Sequence, residues 1–283
     1  MQVLKTIAAL QTFICNAKRQ QQTIGFVPTM GALHDGHLTL AKAAREEHDI
    51  AIMSVFVNPT QFGPNEDFDA YPRDLARDVA LATSVGVDAI FAPSVAEMYP
   101  HDGGIRLHAG RQATMLCGAS RPGHFDGVLQ VVAKLFHLVQ PDVAYFGQKD
   151  AQQVAIIETM VRDFNFPVVI RSVPIVREDD GLAKSSRNMY LTETERVEAP
   201  QLYAALQLAK DVLLNTHHVE KAIDAATAHI TTHTTGRIDY IEVLSYPDLA
   251  PVDDSTTQVV LALAVYIGKT RLIDNLMINL GGN

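Results

Sequence analysis

Two histidines three residues apart, His34 and His37, stand in the string Pro28-Thr29-Met30-Gly31-Ala32-Leu33-His34-Asp35-Gly36-His37. At that spacing they share a face if the chain turns helically. Imidazole N–H groups can grip phosphate oxygens and follow charge as it moves during a displacement. The pair also fits incidental surface histidines, or half of a metal site, although no other Cys/His cluster supplies the remaining ligands. A lone cation, Lys149, lies in Gly147-Gln148-Lys149-Asp150 and reads as a phosphate or carboxylate contact or as a solvated lysine. Asp150 reads as the cap of the helix that follows, with Gln153 on the same face. After Val176, the group Lys184-Ser185-Ser186-Arg187 reads as a polyphosphate grip or as a polar interdomain loop. Asn58 and Gln61, read as lying on an exposed loop, are amides able to orient a hydroxy acid without adding charge; the alternative is a plain Asn-Pro turn. Arg121 and His124 could face an anion, cap a helix or pair on the surface. The acidic stretch from Glu66 to Asp69 reads as a solvated loop that could act as a lid.

These residues need elements to hold them. Short apolar runs at Thr23–Val27, Ile50–Val57, Asp88–Phe91, Val143–Phe146 and Val168–Val173 have the continuous pattern of buried parallel strands. Between them, His37–His48, Pro72–Val85, Gly127–Val139 and Ala151–Phe164 have helical character, as do the residues from Val3 to Ile14. The alternation predicts a doubly wound, Rossmann-like parallel sheet over 1–175, with helices on both faces. The pattern then changes. Two helical stretches, Thr192–Leu214 and Val219–Thr232, precede strand-like segments at Ile238–Leu244, Val259–Ile267 and Leu272–Ile278. That order predicts a smaller α+β domain over 176–283. Ligands of doubly wound sheets bind beyond the carboxyl ends of the strands, which is where the histidine string, the amides and Lys149 fall.

Composition excludes several classes. With 23 basic against 32 acidic residues, the net charge of −9 makes nucleic acid or an anionic membrane a poor electrostatic partner. The two cysteines, Cys15 and Cys117, are far apart and form no CxxC pattern, so neither a disulfide scaffold nor a zinc knuckle is expected. The N-terminal pattern is not that of a signal peptide, and no apolar run is long enough to span a bilayer. The expectation is a soluble cytoplasmic protein with no membrane and no nucleic acid partner.

Residues 28–37 resemble the His-x-Gly-His signature of the adenylate-forming nucleotidylyltransferase superfamily, and the longer string resembles the pantoate–β-alanine ligases within it. The Phe56–Phe62, Ser120–Phe125, Phe146–Gln153, Val176–Asn188 and Arg271–Asn275 segments are similar to that family in the same order. The resemblance implies joining of pantoate to β-alanine through a pantoyl adenylate, with AMP and pyrophosphate released. It assigns ATP to Met30, Gly31, Ala32, Leu33, His34, Asp35, Gly36 and His37, to Gly147, Gln148, Lys149 and Asp150, and to Val176, Lys184, Ser185, Ser186 and Arg187. It assigns pantoate to Gln61 and Gln153 and β-alanine to Gln61, and makes His37, His34 and Lys149 the catalytic groups. Mg²⁺ would travel with ATP, with Asp150 as a possible ligand, and the chain would form a homodimer. One departure stands at Lys184, where the family usually has an apolar residue. A same-superfamily adenylyltransferase acting on a phosphate acceptor is the alternative. A nucleotide-binding regulatory protein on an inactive fold is a further one.

Overall fold

A short strand, β1 (Gln2–Leu4), opens the chain and is followed by α1 (Ile7–Arg19), β2 (Ile24–Thr29), α2 (Asp35–Glu47) and β3 (Ile50–Val55) in a computed structural model that describes residues 1–64, 66, 68–101 and 103–281. Then come α3 (Leu75–Ser84), β4 (Ala89–Phe91), the short α4 (Val95–Met98) and α5 (Leu116–Ser120), α6 (His124–Val139), β5 (Val143–Gly147), α7 (Ala151–Asp163) and β6 (Val169–Val173). These six strands form one parallel sheet in the order β1-β4-β3-β2-β5-β6. β1 is missing from the sequence reading because three residues, of which only Leu4 is buried, merge with the helical spacing of α1. Of the acidic stretch, Asp67 lies outside the described residues.

The sheet order reverses at β2, whose two neighbours are β3 and β5. This is the switch point at which doubly wound sheets open a crevice. Pro28 helps to open it. Even-numbered residues of β2 face β5, as the Asp142 N–H bond to the Ile24 carbonyl shows, and the β2–β5 ladder stops at Phe26 with Ala144. Pro28, which has no N–H, therefore sits where no ladder bond is lost, and β2 runs on to Thr29 against β3 alone. The core against this sheet is packed by Leu33, Leu40, Ala41 and Ala44 with Val27, Met53, Ile90 and Tyr145.

After α8 (Glu193–Glu198), α9 (Gln201–Thr216) and α10 (Val219–His233) come β7 (Arg237–Ser245), β8 (Gln258–Ile267) and β9 (Thr270–Asn279), an antiparallel sheet in the order β7-β8-β9. The helix read as continuous over Thr192–Leu214 is broken: α8 ends before Pro200, which opens α9, since proline cannot donate to the preceding turn. β8 is buried along nearly its whole length because both its faces are covered. Leu202, Leu206, Ala222 and Ile230 pack near Leu261 and Leu263, whereas Leu116, Ala155 and Leu249 pack near Val260 and Ala262.

The chain divides into two compact units. The first comprises Met1–Gly110, Arg121–Gln148 and Ile156–Pro174; the second comprises Arg111–Ser120, Lys149–Ala155 and Ile175–Asn283. The last crossing falls at Pro174/Ile175, and two short segments of the earlier chain cluster with the second unit. Among the described residues, no helix is long and apolar enough to cross a membrane.

Candidate active site

The turn after β2 reverses through two left-handed residues, Gly31 at φ 86° and Ala32 at φ 51°. A Cβ on Gly31 would lie 2.8 Å from a carboxylate oxygen of Asp78 and 2.9 Å from the Val55 side chain, so only glycine fits without rearrangement. Asp78, on α3 and 1% exposed, accepts the Ala32 N–H at 3.1 Å and the Leu33 N–H at 2.8 Å. Burial pushes its carboxyl above the ordinary range, and the Leu33 and Ala32 N–H groups oppose that shift. Thr29 adds a clamp: its hydroxyl donates to the Ser54 carbonyl at 2.6 Å and accepts the Gly31 N–H at 3.1 Å. The Leu33 side chain is wholly buried in the core, so the turn is anchored both by that packing and by the Asp78 carboxylate.

His34 caps α2. Its Nδ1 accepts the Gly36 N–H at 3.1 Å, and the His34 N–H donates to His37 Nδ1 at 3.4 Å. An imidazole nitrogen that accepts carries no hydrogen, so in the neutral rings both protons sit on Nε2. The ring centroids are 4.1 Å apart. The arrangement makes both Nε2–H groups donors at a helix N-terminus, where main-chain N–H groups and the helix dipole favour negative charge.

Asn58 and Gln61 are buried, at 1% and 8% exposure, not on an exposed loop as the sequence suggested. Asn58 is fully engaged. Its Oδ1 accepts the Tyr99 hydroxyl at 2.9 Å and the Thr60 hydroxyl at 3.0 Å, while its Nδ2 donates to the Gly127 carbonyl and to Gln61 Oε1, both at 3.1 Å. These bonds fix which end of the Gln61 amide is the donor, and its Nε2 points toward Met30 Sδ at 3.2 Å. The first unit thus brings Gln61 beside the turn that carries the histidines. The glycine at 127 is required: a Cβ there would stand 2.2 Å from the Thr60 carbonyl.

Arg121 and His124 are half-buried and support the turn that carries Gln61. Arg121 binds Glu66 through two contacts of 2.7 and 2.6 Å and donates to His124 Nε2 at 3.0 Å. His124 Nδ1 then donates to the Gln61 carbonyl at 2.8 Å. Burial alone would raise the Glu66 carboxyl, but the Arg121 guanidinium overrides it and the net shift is downward. Arg73 ties the same loop together, donating to the Phe68, Asp69 and Tyr71 carbonyls.

Gly147 closes β5, and Gln148, Lys149 and Asp150 form a 3-10 turn that runs directly into α7. Asp150 is therefore part of the turn instead of its cap, and it is exposed. Gln153 is half-buried one turn on, whereas its neighbour Gln152 is buried and donates to the Gln112 and Met115 carbonyls at 2.8 and 2.7 Å. Val176–Lys184 is a hairpin: Arg177 pairs with Ala183, and the Lys184 N–H donates to the Val176 carbonyl at 2.9 Å. Lys184 Nζ lies 3.3 Å from Glu178 Oε2, so this cation is offset within its own hairpin. Ser185 caps the turn Ser186–Tyr190 by accepting the Arg187 N–H at 3.2 Å.

The sequence reading overlooked Asp78 as a support. The available signal was its place four residues before buried Ala82, on the face of α3 that enters the core.

Topology, switch point and a histidine-capped turn after β2 define an α/β protein of the doubly wound class, whose members bind ligands at the carboxyl ends of their strands. A sequence model of the family described as pantoate–β-alanine ligase matches residues 2–277, and the chain belongs to that family. It is 71% identical over 275 residues to a pantothenate synthetase of Lysinibacillus sphaericus, covering 97% of each chain. It is 51% identical over 280 residues to the pantothenate synthetase of Bacillus subtilis, covering 99% of this chain and 98% of that one. Among solved structures, a pantothenate synthetase of Thermus thermophilus superposes with a TM-score of 0.92 at 45% identity, covering 98% of this chain and 99% of the other. A pantoate–β-alanine ligase of Francisella tularensis, complexed with β-γ ATP and β-alanine, superposes with a TM-score of 0.81 at 38% identity, covering 98% and 97%.

Proposed function

We propose that this chain is an ATP-dependent ligase that condenses (R)-pantoate with β-alanine through a pantoyl adenylate. The observation that carries the reading is the turn after β2, where two imidazoles share one tautomer and present Nε2–H donors at the start of α2. Membership of the pantoate–β-alanine ligase family supplies the substrates.

In the first step a pantoate carboxylate oxygen attacks the α-phosphorus of ATP. The bond to the bridging oxygen breaks, and pyrophosphate leaves. In the second, the neutral β-alanine amine attacks the activated carbonyl, the acyl carbon–oxygen bond breaks, AMP leaves with the electron pair, and the nitrogen gives up one proton to solvent. Attack at phosphorus needs positioning and charge stabilisation more than a protein nucleophile. The Met30–His37 turn lies against ATP in this reading, with the His34 and His37 imidazoles taking phosphate oxygens, since the Gly31, Ala32, Leu33, His34 and Gly36 N–H groups are given to side chains of the turn and of Asp78. So do Gly147–Asp150, Val176, Lys184, Ser185, Ser186 and Arg187, with Lys149 and Arg187 offsetting charge as it develops. Gln61 and Gln153 orient pantoate, and Gln61 also meets β-alanine. In its present tautomer His37 donates through Nε2, which suits an anion contact and not removal of a proton from the amine.

Magnesium fits this site as an ion held mainly by ATP oxygens, with exposed Asp150 as the protein carboxylate nearest in sequence to Lys149; it would screen phosphate charge. Among the described residues no cluster of three or more His, Cys, Asp or Glu could hold it without the nucleotide. A homodimer in the cytoplasm completes the proposal. β6 ends its sheet, paired with β5 alone among the described strands, and Val169 on it is 59% exposed.

The test is product analysis with pantoate, β-alanine, ATP and Mg²⁺. AMP, pyrophosphate and an amide in equal amounts are expected. A dinucleotide-like adduct with a phosphate acceptor and no amide would instead make the chain an adenylyltransferase.

A further inference from the structure

We propose that Asp274 and Asn275 on β9 are positioning residues for adenylation: together they fix the main chain of Lys149 and the Val176–Lys184 hairpin on one strand. This rests on the reading that Lys149 and the Ser185–Arg187 turn act on the ATP phosphates.

Both residues are buried in β9, at 4% and 3% exposure. Asp274 holds Arg177 by a two-pronged pair, Nη1 to Oδ2 at 2.6 Å and Nη2 to Oδ1 at 2.9 Å. Arg177 in turn lies 3.8 Å over the Tyr203 ring and donates to the Gly181 carbonyl at 3.0 Å, so it cannot swing without dismantling the hairpin that leads to Ser185. Asn275 Nδ2 donates to the Lys149 carbonyl at 2.9 Å. That bond sets the main chain of a residue in a 3-10 turn and so aims its Cα–Cβ vector. The Asn275 N–H donates to Asp274 Oδ1 at 2.8 Å, which locks the two grips together.

Stability is a poor reason for this arrangement. A buried ion pair can often be replaced by apolar residues of similar volume at no net cost. Position is a better one, since a misplacement of about 1 Å can cost roughly 10²-fold in rate.

The test measures pyrophosphate release with pantoate and ATP alone, and separately amide formation from preformed pantoyl adenylate. Asn275→Asp keeps the side-chain shape and sets a carboxylate oxygen against the Lys149 carbonyl. It is expected to slow adenylation about 10²-fold, with little change in the pantoate KM or in the amide-forming step. Its cost should vanish when added to Lys149→Met, because the two would act through one group. A loss that persists in the Lys149→Met background overturns the proposal, as does near-normal adenylation in Asn275→Asp. If Lys149→Met itself leaves adenylation intact, the underlying reading falls and this one with it. If only Asn275→Asp is silent, this proposal falls alone. Asn275→Ala is the second variant; if neither variant is folded at the assay temperature by circular dichroism, the pair holds the sheet and not the lysine, and the proposal is wrong.

Discussion

The tautomers of His34 and His37 are set by two main-chain N–H groups, and that links fold to chemistry at the scale of one residue. Each ring gives its Nδ1 lone pair to the helix start and so carries its proton on Nε2. His37→Ala removes a donor and part of the cap. Adenylation should fall ~10²–10³-fold, while stability should drop by about 1 kcal/mol, the usual worth of a cap. Pyrophosphate release and a urea titration read the two effects separately, and near-normal turnover would remove His37 from the mechanism. The pair was legible in sequence because spacing alone puts both rings on one face. Asp78 was marked only by its place on the inward face of α3; a carboxylate in the first turn of a helix also suits the dipole, and that the Ala32 and Leu33 N–H groups, 46 and 45 residues away, reach it is not a local property.

At the scale of elements, α6 lies against the Pro59–Gln61 turn with only a hydrogen between Gly127 and the Thr60 carbonyl. Gly127→Ala must push the helix away from the turn and from the Asn58 amide that orients Gln61. We expect a loss of roughly 1–3 kcal/mol and a raised pantoate KM with ATP affinity retained; a KM change confined to ATP would contradict this. The loop above the same turn is held by Glu66 and Arg121. The Glu66 carboxyl is shifted downward in the fold. Its contribution is therefore complete above the ordinary glutamate value near ~4.3 and is lost as pH falls through the lower folded value. Glu66→Gln should cost about 1 kcal/mol at pH 7, and the gap to the parent protein should close on acidification. A gap that widens in acid would reverse the assigned sign. Strand–helix alternation predicted these elements well where strands are long and buried. It failed at β1, which is too short to show a period, and at Pro200, where an apolar pattern runs across a break that only the ring enforces.

For the whole molecule, β6, which pairs with β5 alone among the described strands, and exposed Val169 give the homodimer reading a physical measure. Light scattering should return about twice 30.9 kDa, and the melting midpoint should rise with protein concentration. A monomer mass at all concentrations would end that reading. The amino-acid sequence by itself determined the parallel sheet, the change of pattern near residue 175 and the residue types offered to a nucleotide, because hydrophobic period, caps and motif spacing are local properties of a chain. Only the tertiary structure decided that Asn58 is a buried hub, that Arg121 and His124 support the turn that carries Gln61, that Lys184 leans on Glu178, and that segments 111–120 and 149–155 cluster with the later residues. Those outcomes depend on which distant polar groups are buried together, and the cost of leaving any of them unpaired is settled by packing in three dimensions.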